Sequence, residues 1–254
     1  MIAISTPHLS LMEFPKALET VAGQYEAWEI VAEGKHLLRE IKDDFLKLTP
    51  SYDIKFSVHA PLSDINIGAI NPRVQKASLD EVLECMELAH HLGIDLVTVH
   101  PGFLSPLTMI DRGPAVTATI PSLRTIDAKM KELGIRVALE NMPQMPHSMA
   151  KDPRELCTFL EGTDLGVCFD IGHANTVGNI SEFLDIRDRF INMHVHDNLS
   201  DWDRHLVIGE GNIDLKRWLG QFRPYSGRYV IEARGFQDSL TSRDRLSAIL
   251  ASLD

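Results

Sequence analysis

Nine side chains of types that ligate metals stand at, or just beyond, the C-terminal ends of short apolar runs. His59 closes FSVHAP, His100 closes LVTVHPG and Glu140 closes VALENMP. Asp170 and His173 close VCFDIGHA, and His194 closes INMHVHD. Asp203 and His205 follow in DWDRHL, and Glu232 closes YVIEAR. Imidazole nitrogen mixed with carboxylate oxygen suits Zn2+, Mn2+ or Fe2+. Nine donors exceed the needs of one ion. Three tetrahedral or five-coordinate ions, with one carboxylate bridging two of them, would use the whole set and leave positions for water. Such clusters serve phosphoryl chemistry, because they make hydroxide near neutral pH and neutralise the attacking and leaving oxygens. Each residue alone has a plainer reading. A His at a strand end is usually a satisfied polar group, and an Asp or Glu there often caps the next helix. Their recurrence at one place relative to a strand points to one centre.

The runs that carry these residues alternate with amphipathic segments. Strand candidates fall at 2–5, 27–31, 54–59, 96–100, 137–140, 166–170, 191–196 and 229–232. Most are short and rich in Val and Ile, as expected of parallel strands covered on both faces. Helix candidates fall at 14–21, 35–48, 74–92, 115–133, 153–160, 180–189, 215–222 and 240–253. Asn71-Pro72 and Asp152-Pro153 offer a cap and a first-turn proline, and Gly93 and Gly134 suit the position just past a helix. Eight such pairs predict an α/β chain forming a single (β/α)8 TIM barrel over residues 1–254. A doubly wound open sheet is the rival. Only in a barrel do all strand ends meet at one mouth, so that ligands from the third to the eighth strand can share a site.

The composition, 44% hydrophobic and 24% charged, is that of a soluble globular domain. No apolar run approaches the length of a membrane span, and MIAISTPHLS reads as a first strand rather than a signal peptide. Cys85, Cys157 and Cys168 are scattered and form no CxxC, which fits free thiols in a cytoplasmic protein. The formal net charge of −11 argues against a protein that grips nucleic acid through its phosphates. Bound divalent cations would offset part of it.

Together, HAP at 59–61, VHPG at 99–102, LEN at 139–141, FDIGHA at 169–174, MHVHD at 193–197 and DRHLVIGEGNI at 203–213 resemble the xylose isomerase-like TIM barrels. By metal-ligand pattern they are most similar to the endonuclease IV family within that group. The resemblance implies that His59, His100 and Glu140 hold one Zn2+. Glu140 would bridge to a second ion that also takes Asp170, His194 and Glu232. His173, Asp203 and His205 would hold the third. It further implies hydrolysis of the DNA backbone at abasic sites. Departures are visible. Leu62 and Ser63 stand after HAP where that family carries an aromatic wedge, and His196 stands where it carries Asn.

The wider group implies an alternative: a sugar or sugar-phosphate isomerase or epimerase. It would hold one ion between Glu140, Asp170, His194 and Glu232, use the two glutamates as an acid–base pair, and place His173 on the substrate. A third class keeps the metal for binding or sensing. Arg204, between two of the ligand candidates, is a candidate for catalytic recognition of phosphate. His196 shares a strand face with His194 and reads as a supporting, substrate-facing or loop residue. The loop at 142–151, MPQMPHSMAK, offers a lid or apolar rim, or else packs on the barrel top. Trp202 could stack on a base or sugar, or simply pack, while His8 and Glu33 stand near strand ends. His36, His90, His91 and His147 read as exposed.

Overall fold

The computed structural model describes residues 1–253. Eight strands alternate with helices: β1 (Ile2–Ser5), β2 (Ala27–Val31), β3 (Lys55–His59), β4 (Leu96–Val99), β5 (Arg136–Glu140), β6 (Gly166–Asp170), β7 (Phe190–Val195) and β8 (Tyr229–Glu232). They pair in chain order and close into a barrel. All ladders are parallel, and β1 meets β8 with Ser5 beside Glu232. This closure brings the six ligand-bearing strand ends to one mouth and excludes the open sheet.

The helices are α1 (Phe14–Ala22), α2 (Leu38–Leu48), α3 (Pro72–His91), α4 (Gly113–Leu133), α5 (Pro153–Leu160), α6 (Ile171–Val177), α7 (Leu215–Gln221) and α8 (Phe236–Ala251). Asn71 and Asp152 cap α3 and α5 by accepting from backbone N–H groups, as their sequence context predicts. Gly134 ends α4 at φ 66°, a conformation that costs glycine little. The helix expected at 240–253 runs instead over Phe236–Ala251, that expected at 35–48 begins only at Leu38 after a 3-10 turn at Gly34–His36, and two further features differ from the sequence reading. The stretch Ile180–Arg189 is a 3-10 helix, and a short helix, α6, starts inside FDIGHA. No helix among the described residues is long and apolar enough to cross a membrane. The three cysteines are free.

The main apolar core lies between the strands and the helices. Phe169 stacks on Phe190 at 4.8 Å and tilts against Phe183 and Phe222 at the same separation. Fully burying one such ring contributes about 1.5–3 kcal/mol. His36, expected at the surface, is instead fully buried, edge-on to Trp28 at 5.4 Å and Phe14 at 5.8 Å. Its apolar surroundings push its pKa down to about 4, so it is held neutral.

The barrel interior is built differently. Small apolar groups such as Ala3, Ala27 and Val230 fill one level. Another level is polar and shut off from solvent, and comprises Glu29, Ser57, Thr98 and Asn192. Asn192 Nδ2 donates to Glu29 Oε2 at 2.8 Å and to Thr98 Oγ1 at 3.0 Å, and Ser57 Oγ donates to Glu29 Oε2 at 3.0 Å. Ser57, Thr98 and Asn192 each lie two residues before His59, His100 and His194, on the same strand faces. The polar layer therefore forms the floor on which the mouth residues stand.

Candidate metal centre

The mouth gathers all nine expected residues. Glu140 is the hub. Its Oε2 lies 3.2 Å from both His59 Nε2 and His100 Nε2. Its Oε1 lies 3.4 Å from both His194 Nδ1 and His173 Nδ1. The two oxygens thus face different groups of donors, as a bridging carboxylate would. Glu232 is similar: Oε1 is 3.1 Å from His194 Nδ1, and Oε2 is 3.6 Å from His205 Nδ1. Asp170 Oδ2 completes this ring, 3.9 Å from His194 Nδ1. On the outer side, Asp203 Oδ2 lies 3.1 Å from His205 Nε2 and 3.5 Å from His173 Nε2.

The imidazoles are aimed by their second nitrogens. His59 Nδ1 donates to the Ala60 carbonyl at 2.9 Å, which turns Nε2 toward Glu140. His194 Nε2 donates to Glu29 Oε1 at 2.7 Å, which leaves Nδ1 for the mouth. A carboxylate behind a ligating imidazole fixes the ring and raises its basicity. Glu29 is absent from the expected set, because AWEIV reads as an ordinary buried strand. A carboxylate in the middle of an otherwise apolar run was the available signal. Asp170 is fixed twice. It caps α6 through Oδ1, which accepts from His173 N at 2.6 Å, while its backbone N–H donates to Asn141 Oδ1 at 2.8 Å. Oδ2 is left free.

Burial opposes charge at this mouth; at His100 it prevails and lowers the imidazole pKa, whereas at Glu140, His173 and His194 mutual attraction wins. Burial works to raise the Glu140 pKa, but the His194 and His100 rings hold it well below the usual carboxylate range. Burial works to lower the His194 and His173 pKa values, but the surrounding acids hold both well above the ordinary imidazole value. A concentration of facing acids and bases in a cavity marks a functional site.

Whether these residues suit a metal is answered by their unused atoms. Asp170 Oδ2, His194 Nδ1, His196 Nε2 and Asp203 Oδ1 are buried without a hydrogen-bond partner. Buried polar atoms are rarely left so, and bound cations would satisfy all four. Donor atoms of His59, His100 and Glu140 lie within 4.8 Å of one another, as do those of Asp170, His194 and Glu232. The same holds for His173, His196, Asp203 and His205. The donor set therefore fits divalent cations of the zinc or manganese kind.

Arg204, expected to recognise phosphate, is placed elsewhere. Its guanidinium binds Asp201 through Nε at 2.9 Å and Nη2 at 2.6 Å, and 44% of its side chain is exposed. A carboxylate three residues earlier holds it outside the cavity, so its expected catalytic role is not supported. His8 and Trp202 are exposed as well. Glu33 does not line the cavity but clamps the loop after β3, accepting from Leu62 N at 2.6 Å and Ser63 Oγ at 2.7 Å. The long motif at 203–213 is organised by Asp197, whose carboxylate accepts from the backbone of Asn198, Gly209 and Ile213. Gly211 permits this, since a Cβ there would meet Asp197 Oδ1 at 2.1 Å.

Over the centre lies a cavity of about 270 Å³. Its floor carries His59, His100, Glu140, His173, His205 and Glu232, and its rim is apolar, with Leu62, Phe103, Met142, Pro143 and Met145. The methionine- and proline-rich loop thus supplies a rim to the cavity. Among the described residues, no lysine or arginine lines it.

The chain is thus an α/β barrel that gathers clusters of potential metal ligands at its C-terminal mouth. The family model described as xylose isomerase-like TIM barrel matches residues 19–252, and the chain belongs to that family. A crystal structure of a D-tagatose 3-epimerase-like protein superposes with a TM-score of 0.92 at 31% identity, covering 99% of this chain and 97% of that one. A protein from Thermus thermophilus, determined after soaking with ZnCl2, superposes with a TM-score of 0.76 at 25% identity, covering 99% and 98%. An uncharacterized protein of Methanocaldococcus jannaschii is 34% identical over 95% of this chain and 87% of its own. The probable endonuclease 4 of Mycoplasma pneumoniae is 29% identical over 65% of this chain and 63% of its own.

Proposed function

We propose that this protein is a divalent-metal-dependent isomerase or epimerase of small, uncharged sugars. One observation carries the reading. Glu140 and Glu232, both within 3.4 Å of His194 Nδ1, line one small cavity whose described wall holds no lysine or arginine. Paired carboxylates at one centre suit removal of a proton from a carbon beside a carbonyl and its return to the same or the neighbouring carbon. A cavity of about 270 Å³ is at the lower end of small-molecule pockets and suits a monosaccharide. The missing lysine or arginine favours an unphosphorylated sugar over a sugar phosphate. The likeness to a D-tagatose 3-epimerase-like structure supports the same direction.

Glu140, Asp170, His194 and Glu232 would hold the ion. When bound, it supplies Lewis-acid polarisation of a carbonyl and stabilises the charge that develops on its oxygen. The protein does the rest. One glutamate takes the proton from carbon, and the other returns a proton to the opposite face for epimerisation. Each ends in the protonation state the other began with, and solvent exchange resets the pair. His173, whose Nδ1 donates to the Asn141 carbonyl at 2.8 Å, presents its other nitrogen toward the cavity as a hydroxyl partner. The apolar rim excludes water from the exposed carbanion-like carbon.

A second reading, phosphoester hydrolysis of the endonuclease IV type on abasic DNA, is favoured by the additional donors. His59 and His100 face Glu140 from the side away from His194, and Asp203 and His205 add another group. Zn2+ in two or three positions would fit that reading. The cavity size, the apolar rim and the net charge of −11 weigh against a duplex substrate. Assaying a panel of neutral ketoses and aldoses beside an abasic-site oligonucleotide, with Zn2+ and Mn2+ separately, decides between them. Conversion of a sugar without strand cleavage is expected. Strand cleavage without sugar conversion would overturn the primary reading.

A further inference from the structure

The polar and apolar parts of the cavity are kept apart. Its polar side chains are the acids and imidazoles of the mouth and Ser5, which lies beside Glu232 where β1 meets β8. The rim of Leu62, Phe103, Met142, Pro143 and Met145 adds no amide, phenol, indole or hydroxyl among the described residues. Its backbone donors are engaged as well. Leu62 N donates to Glu33 Oε1 at 2.6 Å, and Phe103 N donates to Asn66 Oδ1 at 2.9 Å. Met142 N donates to the Ala150 carbonyl at 3.2 Å and Met145 N to the Pro143 carbonyl at 2.8 Å, while proline has no N–H. A hydroxyl that reached this rim would find no free donor there.

The rim is also preformed. Asn66 Nδ2 donates back to the Phe103 carbonyl at 2.8 Å, so both ends of one amide clamp Phe103. Gly102 permits the clamp, since a Cβ there would meet Asn66 Oδ1 at 2.6 Å. Phe103 pairs with Ser148 in an antiparallel bridge, and Leu104 N donates to the His147 carbonyl at 2.8 Å. Gln144 N donates to Thr176 Oγ1 at 2.8 Å, which ties the methionine-rich loop to α6. The two loops thus make one ordered apolar wall. The Phe103 ring stands edge-on to His100 at 6.0 Å, so the wall begins directly beside the donors of the floor.

We propose that the substrate is a deoxy sugar, with its hydroxy-carbonyl end on the floor and a terminal methyl group packed against Phe103 and Met145. This rests on the isomerase or epimerase reading and adds which sugars the site takes. A chain held by its first carbons between Glu140 and Glu232 must lay its last carbons on this wall, because the cavity is small. A methyl group there gains from leaving water, whereas a hydroxyl gives up its hydration without a partner in return. Apolar pockets discriminate against an added hydroxyl by about a hundredfold at best. Met145 is only half-buried, so roughly tenfold is expected here. Phe103 and Met145 thereby set specificity and take no part in proton transfer.

The test uses the metal-loaded protein and matched pairs of a ketohexose and its 6-deoxy analogue, in both enantiomeric series. In at least one pair kcat/KM should favour the deoxy member by roughly tenfold or more. Binding is read separately by calorimetry with the alditols made by reducing each pair, which lack the carbonyl and do not react. The same preference is expected in their Kd values. Met145→Gln places an amide on the wall at a half-buried loop position and should shrink both ratios by about threefold or more. Equal or better use of the fully hydroxylated members would overturn the proposal and leave the isomerase reading intact, and so would ratios that Met145→Gln does not move. A binding preference for the deoxy alditols without turnover of any sugar would support the wall's selectivity and overturn the acid–base reading instead. Neither binding nor turnover of any member would overturn both.

Discussion

The inner and outer halves of the mouth are built from the same residue types but supported in different ways. The inner donors Glu140, Asp170, His194 and Glu232 lie on strands, and His194 rests on Glu29, Asn192 and the other residues of the buried polar floor. The outer donors Asp203 and His205 ride on a loop. That loop is held by the Asp197–Leu206 bridge and by Arg234, whose Nε donates to the Arg204 carbonyl at 2.7 Å. His205 itself adopts a left-handed backbone, φ 47°, which is uncommon outside glycine and asparagine. Donors on strands are positioned more rigidly than donors on loops. The inner half is thus suited to chemistry that requires fixed geometry, and the outer half depends on the contacts that hold its loop.

Substitutions can break this contrast, and the largest effect should come from the inner half. Glu232→Gln removes one carboxylate of the proposed pair and should lower kcat by about 10³-fold, within the usual range for general acid–base catalysis. Steady-state kinetics on the responsive sugar checks this, and a loss confined to KM would count against a proton-transfer role. Glu29→Gln, which never touches the cavity, should weaken the inner ion by roughly 10–100-fold through His194. Competition with a chelator measures it, and an unchanged affinity would count against the support that Glu29 gives His194.

Arg234→Met should act in the opposite sense. Loss of its bonds to the loop carbonyls of Asp203 and Arg204 should quicken amide hydrogen exchange in the loop at 198–206 by roughly threefold to tenfold, the scale of one or two exposed hydrogen bonds, and spare the inner ion. If the inner ion weakened to the same extent, the two halves would be one cooperative unit. The smallest effect at neutral pH lies away from the mouth. His36 is neutral in the fold with a pKa of about 4, below its unfolded value near 6.5. The unfolded chain then binds the extra proton, so stability falls as pH drops from about 6.5 toward 4, by up to about 3 kcal/mol. His36→Phe should flatten that part of the acid limb in denaturant melts, relative to wild type.

Much of the barrel was legible because eight apolar runs and their helices recur at regular intervals, and their ends carry the ligands. Strand bounds from sequence differ from the observed ones by about a residue, as for Leu96–Val99 and Phe190–Val195. Side-chain partners were not legible. Arg204 lies between two donors in sequence, yet Asp201 turns it to solvent. His36 sits in a glycine–lysine turn that looks exposed, yet it packs under Trp28. Glu29 is one carboxylate in an apolar strand, and only the barrel's closure brings β7 across to meet it. In each case the deciding contact joins residues whose proximity periodicity does not encode.

Deuterium incorporation tests the central claim most directly. The metal-loaded protein is incubated with the neutral ketose panel in D2O, and the carbon beside the carbonyl is followed by NMR for wild type and Glu232→Gln. The account predicts exchange at that carbon with at least one sugar in wild type, lost in the variant. No exchange with any sugar, together with cleavage of an abasic-site oligonucleotide by the same preparation, would contradict it.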